Sequence, residues 1–139
     1  MILLDTNVVV DALDRRSAFR KWAVDQIENA VLAEGGAVNV VSIAETCAGT
    51  NAPGDIIAGL EALGLELVDV PVKAGPVCGK AYSRSRAARR TSGGGTAPST
   101  PLPDFLIGAH AEAMGWKLAT RDGQRFRTYF PSVELVEPR

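Results

Sequence analysis

The chain has 139 residues, the size of one ordinary domain, and its composition of 46% hydrophobic and 22% charged residues is typical of a folded globular protein. No apolar run approaches the roughly 20 residues that a membrane helix needs. The first residues do not resemble a signal peptide, because they lack a basic segment and Asp5 interrupts the apolar stretch. We therefore expect a single domain over residues 1–139, located in the cytoplasm and without a membrane partner. The net charge of −1 gives no overall field that would indicate a nucleic-acid partner.

The first half of the chain alternates between predicted strands and helices. Residues 2–4 form a short apolar run before Asp5, as in a buried parallel strand. Apolar spacing then predicts helices over residues 8–13 and 17–33, the second capped by Ser17 and ended by two glycines. Residues 37–41 form a second predicted strand, and Ser42 begins the next helix.

The second half continues this alternation. Pro53 begins a short predicted helix, residues 66–68 a third strand and residues 72–90 a long helix. Residues 92–101, dense in Gly, Pro, Ser and Thr, predict a flexible loop beside the active site. Asp104 caps a helix over 105–114, a fourth strand covers 117–120, and 126–130 form a turn or short helix before an edge strand at 133–136. This order predicts a three-layer α/β/α domain with a mostly parallel central sheet of four to five strands.

Acidic and basic residues are unevenly distributed. No acidic residue lies between Asp69 and Asp104, whereas six of the fifteen basic residues do. On a long helix they would form a basic face suited to phosphate groups, although charge on an exposed helix is often only a solvated surface. If the protein binds RNA, the candidate contacts are Lys80, Arg84, Arg86, Arg89 and Arg90.

Histidine and cysteine give little support for other chemistries. His110 is the only histidine, so a histidine zinc site or a Ser-His-Asp triad would depend on it alone. We expect it to be a helix histidine whose ring has hydrogen-bond partners within the protein and which has no catalytic role. Cys47 and Cys78 lie far apart without metal-like spacing, which predicts two reduced, buried side chains.

Four carboxylates are predicted to meet at one edge of the sheet: Asp5, Glu45, Asp104 and Asp122. Ligands bind outside the carboxyl ends of the strands in open α/β sheets. Carboxylates brought together there repel one another unless a cation neutralises them, and oxygen ligands favour Mg²⁺ or Mn²⁺. Thr6, Asn7 and Thr120 lie beside them in the sequence and are candidate supporting residues.

Each carboxylate also has a purely structural interpretation. Glu45 fits a capping box that begins at Ser42, Asp104 fits a helix N-cap, and Asp122 with Gly123 fits a common turn. Asp5 is harder to explain in this way, because a carboxylate directly after a buried strand is costly unless it is paired or coordinated.

The same segments resemble a known family. Leu3-Leu4-Asp5-Thr6-Asn7, Ser42-Ile43-Ala44-Glu45, Leu102-Pro103-Asp104-Phe105-Leu106-Ile107 and Ala119-Thr120-Arg121-Asp122 look like the four signature segments of PIN domains, in order, and most resemble VapC-like toxins. The resemblance implies a Mg²⁺- or Mn²⁺-dependent endoribonuclease of a toxin–antitoxin pair. It implies an RNA substrate, a cognate antitoxin and a homodimer. It gives the four carboxylates the metal-ligand roles and Asn7 or Thr120 a supporting role.

Two features depart from the family. Relatives often carry an acidic residue directly before the phenylalanine that matches Phe126, where this chain has Arg125, which puts a second metal ion in doubt. The segment 92–101 also looks longer than usual.

The leading hypothesis is metal-assisted hydrolysis of RNA phosphodiester bonds, with Asp5, Glu45 and Asp104 holding the ion and Asp122 completing or tuning the site. One alternative is a non-catalytic PIN-like module that binds RNA or protein. A haloacid-dehalogenase-like phosphatase would need a second aspartate where this chain has Asn7.

Overall fold

The computed structural model describes residues 1–91 and 101–139. Its centre is a five-stranded sheet in the order β3-β2-β1-β4-β5, and every neighbouring pair is parallel. The strands are β1 (Ile2–Leu4), β2 (Gly36–Asn39), β3 (Glu66–Val68), β4 (Lys117–Ala119) and β5 (Leu135–Val136). The predicted α/β class and parallel sheet are confirmed.

Seven helices are present in the described part of the chain: α1 (Thr6–Leu13), α2 (Arg20–Ala33), α3 (Val40–Ala48), α4 (Pro53–Ala62), α5 (Ala74–Thr91), α6 (Leu102–Met114) and α7 (Gly123–Tyr129). None of the helices within residues 1–91 and 101–139 is long and apolar enough to cross a membrane.

The helices form two layers, one on each face of the sheet. Successive strand residues point to opposite faces, so Leu3 packs with Phe105 and Phe126, whereas Leu4 packs with Val8 and Ile27. Burial of a side chain of this size stabilises the fold by about 2 kcal/mol. One apolar cluster lies beneath α5, α6 and α7, and the other lies beneath α1 to α4.

The boundary between β2 and α3 differs from the prediction. The strand ends at Asn39, and α3 begins at Val40 instead of Ser42. Asn39 is the N-cap, because its Oδ1 accepts a hydrogen bond from the Ser42 backbone N–H at 3.1 Å. The apolar Val40 and Val41 continue the strand pattern of the sequence, but this amide cap turns the chain into a helix before them.

Ser17 was also expected to cap a helix and does not. The helix α2 begins at Arg20, and the Ser17 hydroxyl instead accepts a hydrogen bond from the Phe19 N–H at 3.1 Å and donates one to Asp11 at 2.7 Å. Ser17 therefore fixes the turn between α1 and α2.

The predicted loop over residues 92–101 lies outside the described residues, except for Pro101. The expectation of two buried cysteines is wrong for Cys47, which is half-buried with its thiol 4.0 Å from the Pro53 carbonyl. Cys78 is buried, and burial raises the pKa of its thiol. Both cysteines are free.

Candidate active site

Asp5 and Thr120 lie side by side at the carboxyl edge of the sheet. The strands β1 and β4 pair in a register that sets Leu4 opposite Ala119, so the residues that follow them are neighbours. The Thr120 hydroxyl donates to Asp5 Oδ2 at 2.7 Å, and the Thr6 backbone N–H donates to Asp5 Oδ1 at 2.8 Å. Asp5 is only 2% exposed and caps α1, so its position is fixed by both the sheet and the helix.

Glu45 reaches the same edge from α3. The Thr6 hydroxyl lies 2.7 Å from Glu45 Oε1 and 2.9 Å from the Ser42 hydroxyl. The capping-box interpretation of Glu45 is wrong, because Asn39 caps the helix and Ser42 lies inside it. Glu45 is instead linked to Asp5 through the single residue Thr6.

Asp104 lies in the first turn of α6 and is largely buried. Its interpretation as the N-cap is wrong, because the helix begins at Leu102 and the Asp104 N–H bonds to the Pro101 carbonyl at 3.1 Å. Proline is tolerated at position 103 because backbone N–H groups in the first turn of a helix have no partner within the helix. The Asp104 carboxylate pairs with the guanidinium of Arg125.

Asp122 follows β4 and precedes α7. Its side chain is 55% exposed and pairs with Arg125 at 2.9 Å, and it makes no capping hydrogen bond to α7. Its backbone N–H donates to the Thr120 hydroxyl at 3.0 Å. Thr120 therefore contacts two of the acidic residues, one through its hydroxyl hydrogen and one through its oxygen.

The four carboxylates share one electrostatic environment. Burial raises the pKa of Asp104 to about 6; the Arg125 charge opposes this shift, whereas the charges of Asp5, Glu45 and Asp122 add to it. Burial also raises the pKa of Asp5, against the hydrogen bonds from Thr120 and from the Thr6 backbone. The site therefore holds more negative charge than its single guanidinium balances.

The donor set fits a hard divalent cation in its chemistry. Carboxylate oxygens are the ligands that Mg²⁺ and Mn²⁺ prefer, and a cation would relieve the mutual repulsion that adds to the effect of burial on the pKa of Asp104. In the conformation seen here, no group of three or more acidic, histidine or cysteine side chains within residues 1–91 and 101–139 is arranged to hold a metal ion. The guanidinium of Arg125 supplies a positive charge beside Asp104 and Asp122.

The other predicted site residues lie in different surroundings. Asn7 Oδ1 accepts a hydrogen bond from the Arg121 backbone N–H at 3.2 Å, which ties α1 to the segment after β4. On α5, Lys80, Arg84, Arg86 and Arg90 are exposed and Arg89 is half-buried. Arg84 donates to the Tyr129 carbonyl at 2.8 Å, so one of its donors already has a partner within the protein.

His110 occupies the core. It is 1% exposed, its Nδ1 lies 3.2 Å from the Asn39 side-chain amide, and its ring packs against Trp116. Burial lowers the pKa of His110, which favours the neutral ring.

Two residues at this edge were not predicted from the sequence as site residues. Ser42 contacts Thr6, and Arg125 joins Asp104 to Asp122. In the sequence, Arg125 differs from the family pattern at the position directly before Phe126, and this departure is the signal that marks it.

Comparisons with known proteins agree with this architecture. The PIN-domain family model matches residues 2–130. No curated protein matches the sequence at a significant level.

Solved structures from several bacteria are similar over nearly the whole chain. A chain of VapBC2 from Rickettsia felis bound to a promoter DNA fragment has 21% identity and a TM-score of 0.67, covering 99% of this chain and 98% of that one. FitAcB from Neisseria gonorrhoeae has 23% identity and a TM-score of 0.65, covering 99% of this chain and 98% of that one. VapBC-5 from Mycobacterium tuberculosis is a member of the VapBC family of toxin–antitoxin systems. It has 21% identity and a TM-score of 0.56, covering 98% of this chain and 97% of that one. At these identities the structures show a common fold, and the match of the family model over residues 2–130 establishes that this chain belongs to the PIN-domain family.

Proposed function

We propose that this chain is a divalent-metal-dependent endoribonuclease that hydrolyses RNA phosphodiester bonds. The observation that supports this most is the grouping of Asp5, Glu45, Asp104 and Asp122 around Thr6, Thr120 and Arg125 at the carboxyl edge of a PIN-type sheet.

In this proposal Asp5, Glu45 and Asp104 hold the ion, and Asp122 completes or tunes the site. A bound Mg²⁺ or Mn²⁺ polarises a phosphate oxygen and makes water a better nucleophile at neutral pH. The chain's own residues position the ligands. Thr120 and the α1 N-terminus fix both oxygens of Asp5, while the Thr6 hydroxyl orients Glu45.

Cleavage of labelled total RNA by the purified protein tests the proposal. With Mg²⁺ or Mn²⁺ we expect discrete fragments, and we expect EDTA and Asp104→Asn each to abolish them. Asp55→Asn is a matched control, because Asp55 also lies in the first turn of a helix, α4, but is exposed and is not among the acidic residues whose charges act on Asp104. Cleavage that survives EDTA and Asp104→Asn would contradict the proposal.

The basic face of α5 is the proposed RNA-binding surface, formed by Lys80, Arg84, Arg86, Arg89 and Arg90. Removal of a phosphate contact weakens binding to all sequences and lowers the salt dependence of log K by about one per contact. We expect this for Lys80→Ala combined with Arg90→Ala. Lys21→Ala, which removes an exposed lysine on α2, should leave both the affinity and the salt slope unchanged.

We propose further that the protein is the toxin of a toxin–antitoxin pair. Three structures similar to this chain are VapBC or FitAcB assemblies, and one is named as a toxin–antitoxin system. Expression of the chain alone should arrest the growth of a bacterial host. Co-expression of a small DNA-binding protein encoded by a neighbouring reading frame should relieve the arrest. Light scattering on the purified chain would test the homodimer that the family resemblance implies.

One observation favours the alternative of a non-catalytic RNA- or protein-binding module. Arg125 pairs with two of the four carboxylates and so occupies part of the site. A chain that binds RNA equally well with EDTA or Mg²⁺, and cuts it with neither metal, would establish that alternative.

A further inference from the structure

Arg125 is held in the carboxylate cluster by several contacts. Its two terminal nitrogens pair with different residues, one with Asp104 and the other with Asp122 at 2.9 Å. Its Cζ lies 5.8 Å from the centre of the Phe126 ring, and its Nε is buried without a hydrogen-bond partner. The side chain is 29% exposed. The buried Nε indicates that the guanidinium is held by the acidic residues and not by a complete hydrogen-bond network of its own.

The oxygens that Arg125 occupies belong to two of the residues proposed to serve the metal ion. A guanidinium stays charged at all ordinary pH values, so it cannot leave the cluster by losing its proton. An ion that binds Asp104 or Asp122 through these oxygens competes with the Arg125 guanidinium for them. The absence of a metal-ready group among residues 1–91 and 101–139 is consistent with acidic side chains that are turned towards Arg125.

We propose that Arg125 is an internal competitor for the divalent ion: it neutralises Asp104 and Asp122 in the ion-free protein and weakens ion binding because its ion pair with Asp104 must break. The inference rests on the proposed metal site and adds a residue that sets its affinity. Arg125 is a positioning residue in this account, because it acts through the two carboxylates.

The same helix offers a matched control. Arg127, two residues further along α7, forms an ion pair with Glu137 and is 53% exposed. Arg127→Gln removes the same charge from the same helix and leaves the carboxylate cluster as it is. Arg125→Lys keeps a positive charge, but a single ammonium group cannot reproduce the two-armed contact.

Binding of Mn²⁺ is measured from the electron paramagnetic resonance signal of the free ion, which does not depend on catalysis. Arg125→Gln should bind Mn²⁺ about tenfold more tightly than the wild type, and Arg125→Lys should lie between them. Arg127→Gln should match the wild type. Circular dichroism checks that each variant is folded. If Arg125→Gln does not fold, the Mn²⁺ affinity of Arg125→Lys tests the competition instead.

The possible failures are distinguishable. If Asp104→Asn abolishes Mn²⁺ binding but Arg125→Gln binds it no more tightly than the wild type, the competition is wrong and the metal site stands. If Asp104→Asn and the wild type bind Mn²⁺ equally, or if the wild type and the folded Arg125 variants all fail to bind it, both the metal site and the competition are wrong.

Discussion

Arg121 and Arg125 lie close together in the sequence, but their ion pairs with aspartates differ in charge balance. Asp11, 4% exposed, pairs with Arg121, accepts a hydrogen bond from Ser17 at 2.7 Å, and its arginine packs 4.6 Å from the centre of the Phe19 ring. The negative charge of Asp11 is therefore balanced by the positive charge of Arg121. Around Arg125, one base faces Asp104 and Asp122 directly, and the charges of Asp5 and Glu45 act on Asp104 as well.

The difference separates structural pairing from a site prepared for a ligand. Perturbed carboxylates that outnumber their partners cluster at functional sites, where the excess charge costs stability. The Asp11 pair has no such excess, so we assign it a structural role. Substitutions at equivalent places in the two regions should therefore have opposite consequences.

The largest contrast is expected between two buried aspartates, Asp5 and Asp11. Asp5→Asn should lower RNA cleavage by at least about 100-fold, because it removes a charged ligand of the proposed divalent ion. Asp11→Asn should leave the rate per folded molecule unchanged, although less of the protein folds. Single-turnover cleavage, normalised to the folded fraction, measures both. Equal loss in the two variants would remove the distinction between the regions.

The free energy of unfolding should change in opposite directions in the variants Asp11→Asn and Asp104→Asn. Asp11→Asn leaves Arg121 without its partner and should lower the free energy of unfolding by about 2 kcal/mol, a value reduced because Arg121 is one-third exposed. Asp104→Asn relieves repulsion from the other carboxylates and should raise it by about 1 kcal/mol. Urea denaturation in EDTA gives both values. A destabilised Asp104→Asn would show that its pair with Arg125 outweighs the repulsion.

The hydroxyls that hold the two aspartates give the smallest contrast. Thr120→Val removes the hydrogen bonds that its hydroxyl makes with Asp5 and with the Asp122 backbone N–H, and it should slow cleavage about tenfold per folded molecule. Ser17→Ala removes the corresponding bond to Asp11 and should lower stability by about 1 kcal/mol without slowing cleavage. Full activity in Thr120→Val would show that Asp5 needs no support from the Thr120 hydroxyl.

Periodicity and turn residues predicted the fold class and most elements, because each β–α unit carries its own local pattern. They failed where one polar side chain overrides that pattern. Asn39 caps α3 and turns Val40 and Val41 into helix, although their type favours a strand. Pro103 was the local sign that α6 begins before Asp104, since proline is common in the first turn of a helix.

The contacts within the site depend on the tertiary structure, which limits what the sequence predicts. Asp5 and Thr120 meet because β1 and β4 pair, across 115 positions of sequence. The position of Arg125 between Asp104 and Asp122 depends on how α7 packs near α6, and no spacing rule gives it. The sequence predicted the acidic residues as a set but not the arginine among them.

The most direct test of the central claim is a crystal structure of the protein with Mn²⁺, in which anomalous scattering locates the ion. The account predicts an anomalous peak among the carboxylates of Asp5, Glu45 and Asp104, with Arg125 displaced from Asp104. A peak elsewhere, or no peak at a saturating Mn²⁺ concentration, would contradict it.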